Sequence, residues 1–103
     1  MALTREYRET VMERIQSDKK FARALYREAL EAILDGECAE ALSMLRDLVH
    51  ATVTFPVMAE ETGIPAKSLH RMLSRRGNPR LDTLSPILHV LQSRLEVGEL
   101  GFA

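Results

Sequence analysis

Residues 55–74 decide the fold class of this chain, and they read FPVMAEETGIPAKSLHRMLS. Pro56 suits the first turn of a short helix that ends before Gly63, with Thr54 as its cap. Gly63 is free to adopt the positive φ that a tight turn needs, and a second short helix should follow over residues 66–74. The stretch therefore predicts two short helices joined at Gly63.

The spacing within this stretch is that of a helix-turn-helix, whose second helix can enter the major groove of DNA. Such a pair needs a small residue where the helices approach, a turn residue free to adopt positive φ, and an apolar interior. The residues that fill these structural positions are Met58, Ala59, Gly63, Ile64, Leu69 and Met72. Thr62 is less apolar than the motif prefers, and Phe55 stands where a polar phosphate contact is often found. An ordinary helical hairpin within a bundle is the alternative.

The charge distribution separates this region from the rest of the chain. The 103 residues contain 14 Lys+Arg and 15 Asp+Glu, so the total charge nearly cancels. Residues 65–80 nevertheless carry five basic side chains and no acidic one, whereas residues 1–64 carry eight basic and twelve acidic ones. Such a cationic block predicts a local anion-binding surface, with a solvated arginine-rich loop as the alternative.

The second helix of the predicted motif should expose a DNA-reading face, because Leu69 and Met72 turn inward. The residues placed to reach base edges are Ala66, Lys67, His70, Arg71 and Ser74. Lys67 and Arg71 can donate to O6 and N7 of guanine. The residues better placed for phosphates, which fix register without reading sequence, are Ser68, Arg75, Arg76, Asn78 and Arg80.

The flanking sequence shows helical periodicity almost throughout, and it predicts an all-α fold, a compact bundle of about five to six helices. Hydrophobic residues make up 46% of the chain and aromatic residues only 5%, so the core must be mainly aliphatic. Residues 1–17 should form a first helix, capped by Thr4, that serves a dimer or partner contact. Residues 18–95 should form the DNA-binding domain, and residues 96–103 a flexible tail.

Two helices are expected between the first helix and the motif. Asp18 is an N-cap signal for the second helix, and Gly36 ends it. The residues that mark its buried face are Phe21, Leu25, Ala29 and Ile33, with Ala22, Ala32 and Leu34 alongside. The third helix should span residues 38–51. Residues 52–55 could be read as a short strand, but nothing nearby in the sequence offers it a partner.

The two ends of the chain supply apolar residues that a small domain need not bury. The last helix begins near Leu81 and contains Pro86, which removes a backbone hydrogen bond and implies a late start or a bend. Because one helix-turn-helix makes few base contacts, we expect a homodimer on a roughly palindromic DNA site. The candidate pairing residues are Tyr7, Val11, Met12 and Ile15 near the N-terminus, and Leu91, Leu95, Val97, Leu100 and Phe102 near the C-terminus.

No pattern in the sequence points to an enzyme, a metal site or a cofactor. His50, His70 and His89 are widely spaced on different predicted helices, and no His-x-x-x-His or Cys-x-x-Cys pattern occurs. Cys38 is the only cysteine and is expected to be a small core residue. No apolar run suits a signal peptide or a membrane span, so we expect a cytoplasmic protein.

Residues 21–95 also resemble a known family, the helix-turn-helix addiction-module antidote proteins within the Cro/phage-repressor type of regulators. The segments that carry the resemblance are FARALY (21–26), MLRDLV (44–49), AEETGIP (59–65), KSLHRML (67–73) and GNP (77–79), followed by Leu84. The resemblance implies a lambda-repressor-like helical bundle and a DNA-binding transcriptional regulator. It also implies a gene often encoded beside that of a small toxin, which the regulator neutralises.

The sequence therefore predicts a sequence-specific DNA-binding regulator that acts as the autoregulating antitoxin of a toxin–antitoxin operon. Its expected partners are a double-stranded DNA operator and a small basic toxin, which would suit the acidic N-terminal helices. The alternative is a protein-binding helical module that has kept the helix-turn-helix shape but lost DNA binding.

Overall fold

Six α-helices and one π-helical segment make up the part of the chain that the computed structural model describes, residues 5–98. The α-helices are α1 (Arg5–Ser17), α2 (Lys19–Leu34), α3 (Cys38–Leu48), α4 (Phe55–Thr62), α5 (Ala66–Met72) and α6 (Leu81–Arg94). The π-helical segment, Val49–Val53, continues directly from α3. No strand occurs within residues 5–98, and the predicted all-α fold is confirmed. The predicted cap Thr4 lies outside the described residues.

Helix α2 begins and ends at the predicted signals. The Asp18 side chain accepts a hydrogen bond from the Phe21 backbone N–H at 3.2 Å, and Gly36 ends the helix with φ of 80°. The prediction of its buried face is confirmed for the three alanines and wrong for Leu34, because the face is rotated toward Tyr26, which the periodicity did not indicate. The buried residues of α2 are Ala22, Tyr26, Ala29 and Ala32. Phe21, Leu25 and Ile33 are only half-buried, and Leu34 is 71% exposed.

Helix α3 ends three residues earlier than predicted, at Leu48, because the backbone widens into the π-helical segment. The Thr54 N–H closes this segment by donating to the Val49 carbonyl at 2.7 Å. The strand considered for residues 52–55 is therefore wrong. Cys38 is exposed rather than part of the core, because it is the first residue of α3 and the buried face begins at Ala41.

The connection into α4 differs from the predicted cap. Thr54 makes no side-chain capping bond and has φ of 76° with ψ of 153°, a region that costs a residue other than glycine about 1–3 kcal/mol. Of the late start or bend expected from Pro86, the late start is wrong, since α6 begins at Leu81 and continues through Pro86. Helix α5 ends at Met72, two residues before the predicted Ser74.

Both ends of the described chain pack into one core, which corrects the predicted pairing surface. The candidate residues Ile15, Leu91, Leu95 and Val97 are buried within the chain and cannot pair with a second copy. Tyr7 is 55% exposed, Val11 and Met12 are half-buried, and Leu100 and Phe102 lie outside the described residues.

Hydrogen bonds and ion pairs connect the start of the predicted tail to α2. The Arg23 Nε donates to the Leu95 carbonyl at 2.8 Å, and the Glu96 carboxylate pairs with Lys19 at 3.1 Å and with Arg23 at 3.4 Å. Val97 is buried in the core, and Glu96 is an exposed residue that forms ion pairs with α2.

Candidate nucleic-acid interface

Two completely buried side chains hold the α4–α5 pair to the bundle, Met58 from α4 and Leu69 from α5. Gly63 lies between the helices with φ of 74° and ψ of 9°, and its N–H donates to the Ala59 carbonyl at 2.9 Å. The positive φ predicted for Gly63 is confirmed, whereas the helix-turn-helix itself stays a prediction. The remaining interior residues of the predicted motif, Ala59, Ile64 and Met72, are half-buried against the core.

Thr62 has a structural role that explains its departure from an apolar residue. Its hydroxyl donates to the Met58 carbonyl at 2.7 Å and accepts from the Ile64 N–H at 3.3 Å. One side chain therefore bonds to the last turn of α4 and to the first residue after Gly63. An apolar side chain at this position could form neither of these hydrogen bonds.

The end of α5 is anchored by two residues that the sequence reasoning missed. Leu73 is completely buried, and its N–H donates to the Leu69 carbonyl at 3.0 Å. Gly77 lies so close to the end of α5 that a Cβ there would clash with the Met72 carbonyl. The sequence signal for Leu73 was its spacing of four residues from Leu69, which places both on one face of a helix. Together they fix the cationic loop, residues 73–80, beside α5.

Three of the five predicted base-reading residues are exposed on α5, namely Lys67, His70 and Arg71. Ala66 is half-buried, and the half-buried Ser74 uses its hydroxyl to bond the Arg71 carbonyl at 2.8 Å. The exposed face of α5 is therefore the cationic one, while Leu69 lies on its buried side.

The residues predicted to contact phosphates differ in exposure, and the arginines among them differ in whether an acidic side chain pairs with them. Arg75, Arg76 and Asn78 are exposed, and Ser68 is half-buried. Arg80 is held by the Asp82 carboxylate through two contacts of 3.3 Å, so its charge is partly compensated. Within residues 5–98, the side chains of Lys67, Arg71, Arg75 and Arg76 form no ion pair.

His70 is oriented by an aromatic contact between α4 and α5. Its imidazole stacks on the Phe55 ring, with 3.9 Å between ring centroids and 18° between planes. Phe55 is only 4% exposed, so the exposed imidazole packs on a buried ring. The sequence signal for this contact was the aromatic residue at a position where the motif often carries a polar one.

Comparisons with known proteins leave the family prediction untested. No family model matches the chain, and neither a curated protein nor a solved structure is significantly similar to it. Among the described residues, no group of three His, Cys, Asp or Glu side chains is arranged to hold a metal ion. None of the described helices is long and apolar enough to cross a membrane.

Proposed function

We propose that this protein is a sequence-specific DNA-binding transcriptional regulator of the helix-turn-helix kind, in which α5 reads base edges in the major groove. The observation that carries this proposal is the two-sided character of α5. Leu69 fixes the helix to the core, and the opposite side presents Lys67, His70 and Arg71 to solvent. A helix held in this way can enter a groove without losing its own packing.

The neighbouring loop supports the same reading. Arg75 and Arg76 are exposed and form no ion pair within the described chain, so they are available to phosphates. Cations that bind phosphates position a protein on DNA and release counterions, but they do not select a sequence. The division of work is therefore base reading by α5 and positioning by the loop.

The finer form of the proposal rests on the sequence resemblance to antidote proteins. It describes a cytoplasmic homodimer that represses its own operon and neutralises a small basic toxin encoded there. Co-purification of the neighbouring gene product with the tagged chain tests the toxin, and light scattering tests the dimer. A monomer at micromolar concentration that protects one unpaired half-site would contradict the dimer.

Selection from a random duplex library, followed by binding measurements at several salt concentrations, tests DNA recognition. Affinity for a selected duplex should fall steeply between about 50 and 200 mM salt, because several phosphates are neutralised. Affinity that does not change over this range, or a library with no enriched sequence, would favour the module that has lost DNA binding.

Four arginine and lysine variants test the division of work. Arg71→Ala and Lys67→Ala should each reduce discrimination between selected and scrambled DNA by about 1–3 kcal/mol. Arg75→Ala should weaken binding to both duplexes alike, and Arg80→Ala should do so less, because Asp82 already holds that side chain. Arg27→Ala, at an exposed position of α2, is the charge-matched control. Equal losses on both duplexes for all four variants would contradict the assignment.

A further inference from the structure

A cleft of about 460 Å³ lies beside α5, where α1, α3 and the start of α4 meet. Its lining includes four side chains that can donate hydrogen bonds to an anion, namely Arg8, Arg46, His50 and His70. None of these except His70 belongs to the predicted DNA-binding residues. The cleft therefore shares one exposed residue with the face of α5 described above.

Phe55 organises the imidazole side of the cleft. The His70 ring stacks on it at 3.9 Å, and the His50 ring lies 6.2 Å from it with a tilt of 48°. His50 belongs to the π-helical segment, which ends at Val53 and is followed by the strained Thr54 immediately before Phe55. The π-helical segment thus supplies one exposed imidazole and α5 the other, and both lie against one almost buried aromatic ring.

Two arginines also line the cleft: Arg8, which is in an ion pair, and Arg46, which is not. Arg8 forms an ion pair with Asp47 at 3.9 Å, and the Asp47 side chain is only 14% exposed. Burial raises the pKa of the Asp47 carboxyl above its ordinary value, although Arg8, Arg46 and His50 each act to lower it. Arg46 forms no ion pair with any of residues 5–98. Its guanidinium is therefore available to an anion that enters the cleft.

Glu9 also lines the cleft, but it is exposed, so solvent screens its charge. The anion that best fits the donors is a phosphate group, because planar guanidinium groups match its oxygens geometrically. The place of the cleft favours the DNA backbone as the source of that phosphate. His70 borders the cleft and also stands on the exposed face of α5.

We propose that this cleft binds a phosphate group through Arg46, Arg8 and His50, and that it extends the DNA interface from α5 onto α3 and α1. The extension rests on the proposed DNA-binding function, whereas phosphate binding by the cleft can be measured without DNA. In this chain Phe55 replaces the polar residue expected at the start of α4, and the cleft supplies the missing backbone contact.

The test compares two substitutions of opposite expected effect in the full chain. Arg46→Gln should lower the slope of log affinity against log salt by about one. The affinity loss of this variant relative to wild type should therefore shrink about fourfold between 50 and 200 mM salt. Asp47→Asn should tighten DNA binding, because it removes a carboxylate and frees Arg8. A gain of affinity cannot result from misfolding, so this variant keeps the test valid if Arg46→Gln is unstable. Arg27→Gln is the control with an equal change of charge elsewhere.

A second arm titrates the DNA-free protein with inorganic phosphate and follows backbone amide signals of residues 46–55 and His70 by NMR. Shifts that disappear in Arg46→Gln, together with the changed salt slope, support the proposal. Phosphate shifts with an unchanged salt slope would overturn the extension to DNA and assign the cleft to a free phosphate ester. The site itself would be overturned if Arg46→Gln kept the wild-type salt slope and inorganic phosphate shifted no amide signal of the cleft. A chain that binds phosphate but no DNA would contradict the proposed function while retaining the cleft.

Discussion

The helix pairs α2–α3 and α4–α5 are both joined at a glycine of positive φ, but they are stabilised in different ways. Helix α2 spans 16 residues and has a side-chain N-cap in Asp18, whereas α5 spans seven residues and has no side-chain cap. A helix of seven residues is unstable alone, because nucleation costs more than so few backbone bonds return. Helix α5 therefore depends on tertiary contacts, chiefly those of Leu69 and Leu73.

Under the proposed function, this difference separates the residues that stabilise the fold from those that would contact DNA. The face of α2 that packs inward is made of small residues around Tyr26, which suits close packing of two long helices. The α4–α5 pair instead uses a few large buried anchors and leaves its cations in solvent. Substitutions should therefore affect folding according to burial, and DNA binding according to the exposed face of α5.

The largest expected effect compares one substitution on the two pairs. Leu69→Ala removes a completely buried side chain and should lower the free energy of unfolding by about 2–5 kcal/mol. Leu34→Ala, at a position 71% exposed on α2, should change it by less than about 0.5 kcal/mol. Urea denaturation followed by circular dichroism measures both. Similar losses at the two positions would contradict the described burial.

The two glycine turns provide the next comparison. Gly36→Val and Gly63→Val both place a β-branched residue at positive φ, where the Cβ itself meets no neighbour. Each should cost about 1–3 kcal/mol of stability from backbone strain alone. Only Gly63→Val should also reduce DNA affinity at a temperature where both variants are folded, because it displaces α5. Gly98→Val is the control, since Gly98 has neither positive φ nor a close neighbour. An unchanged melting temperature for Gly63→Val would show that the turn lies elsewhere.

The N-termini of α2 and α4 should respond in opposite directions. Asp18→Ala removes a capping hydrogen bond and should cost about 1 kcal/mol. Thr54→Gly relieves a strained conformation and should stabilise the protein by about 1 kcal/mol, after the added backbone freedom of the unfolded chain is counted. Thermal unfolding shows whether each variant is more or less stable than the wild type. A loss of stability in Thr54→Gly would mean that the threonine is not strained.

The smallest expected effect concerns the contact between α2 and α6. The Tyr26 hydroxyl donates to the Leu88 carbonyl at 3.0 Å, and Tyr26→Phe should cost about 1 kcal/mol at neutral pH. Burial raises the pKa of the Tyr26 phenol above 10.0, so the folded chain holds this proton more tightly than the unfolded chain does. The contribution of this proton to stability is complete below pH 10.0 and is lost as pH rises through the raised pKa. The difference in the free energy of unfolding between wild type and Tyr26→Phe should therefore become smaller above about pH 10. A difference that does not change with pH would contradict this.

The candidate site was predictable where single residues impose a local conformation. Gly63, Leu69 and the exposed cations of α5 follow from turn chemistry and helical spacing, which act within a few residues. The stacking of His70 on Phe55 did not follow, because it needs α4 and α5 to be correctly placed in space. The cleft that contains Arg8 and Arg46 was missed for the same reason, since its walls come from three separate helices.

The sequence by itself determined the all-α fold, both ends of α2 and the glycine turn before α5, because periodicity and end signals are short-range properties. Only the tertiary structure decided the burial of those apolar residues whose helical spacing left more than one face open. The face of α2 turned toward Tyr26, and Leu91, Leu95 and Val97 joined the core instead of remaining for a partner. It also decided the π-helical segment and the backbone of Thr54, which depend on how α4 packs against the bundle. Long-range packing sets these features because many small contacts together outweigh any local preference.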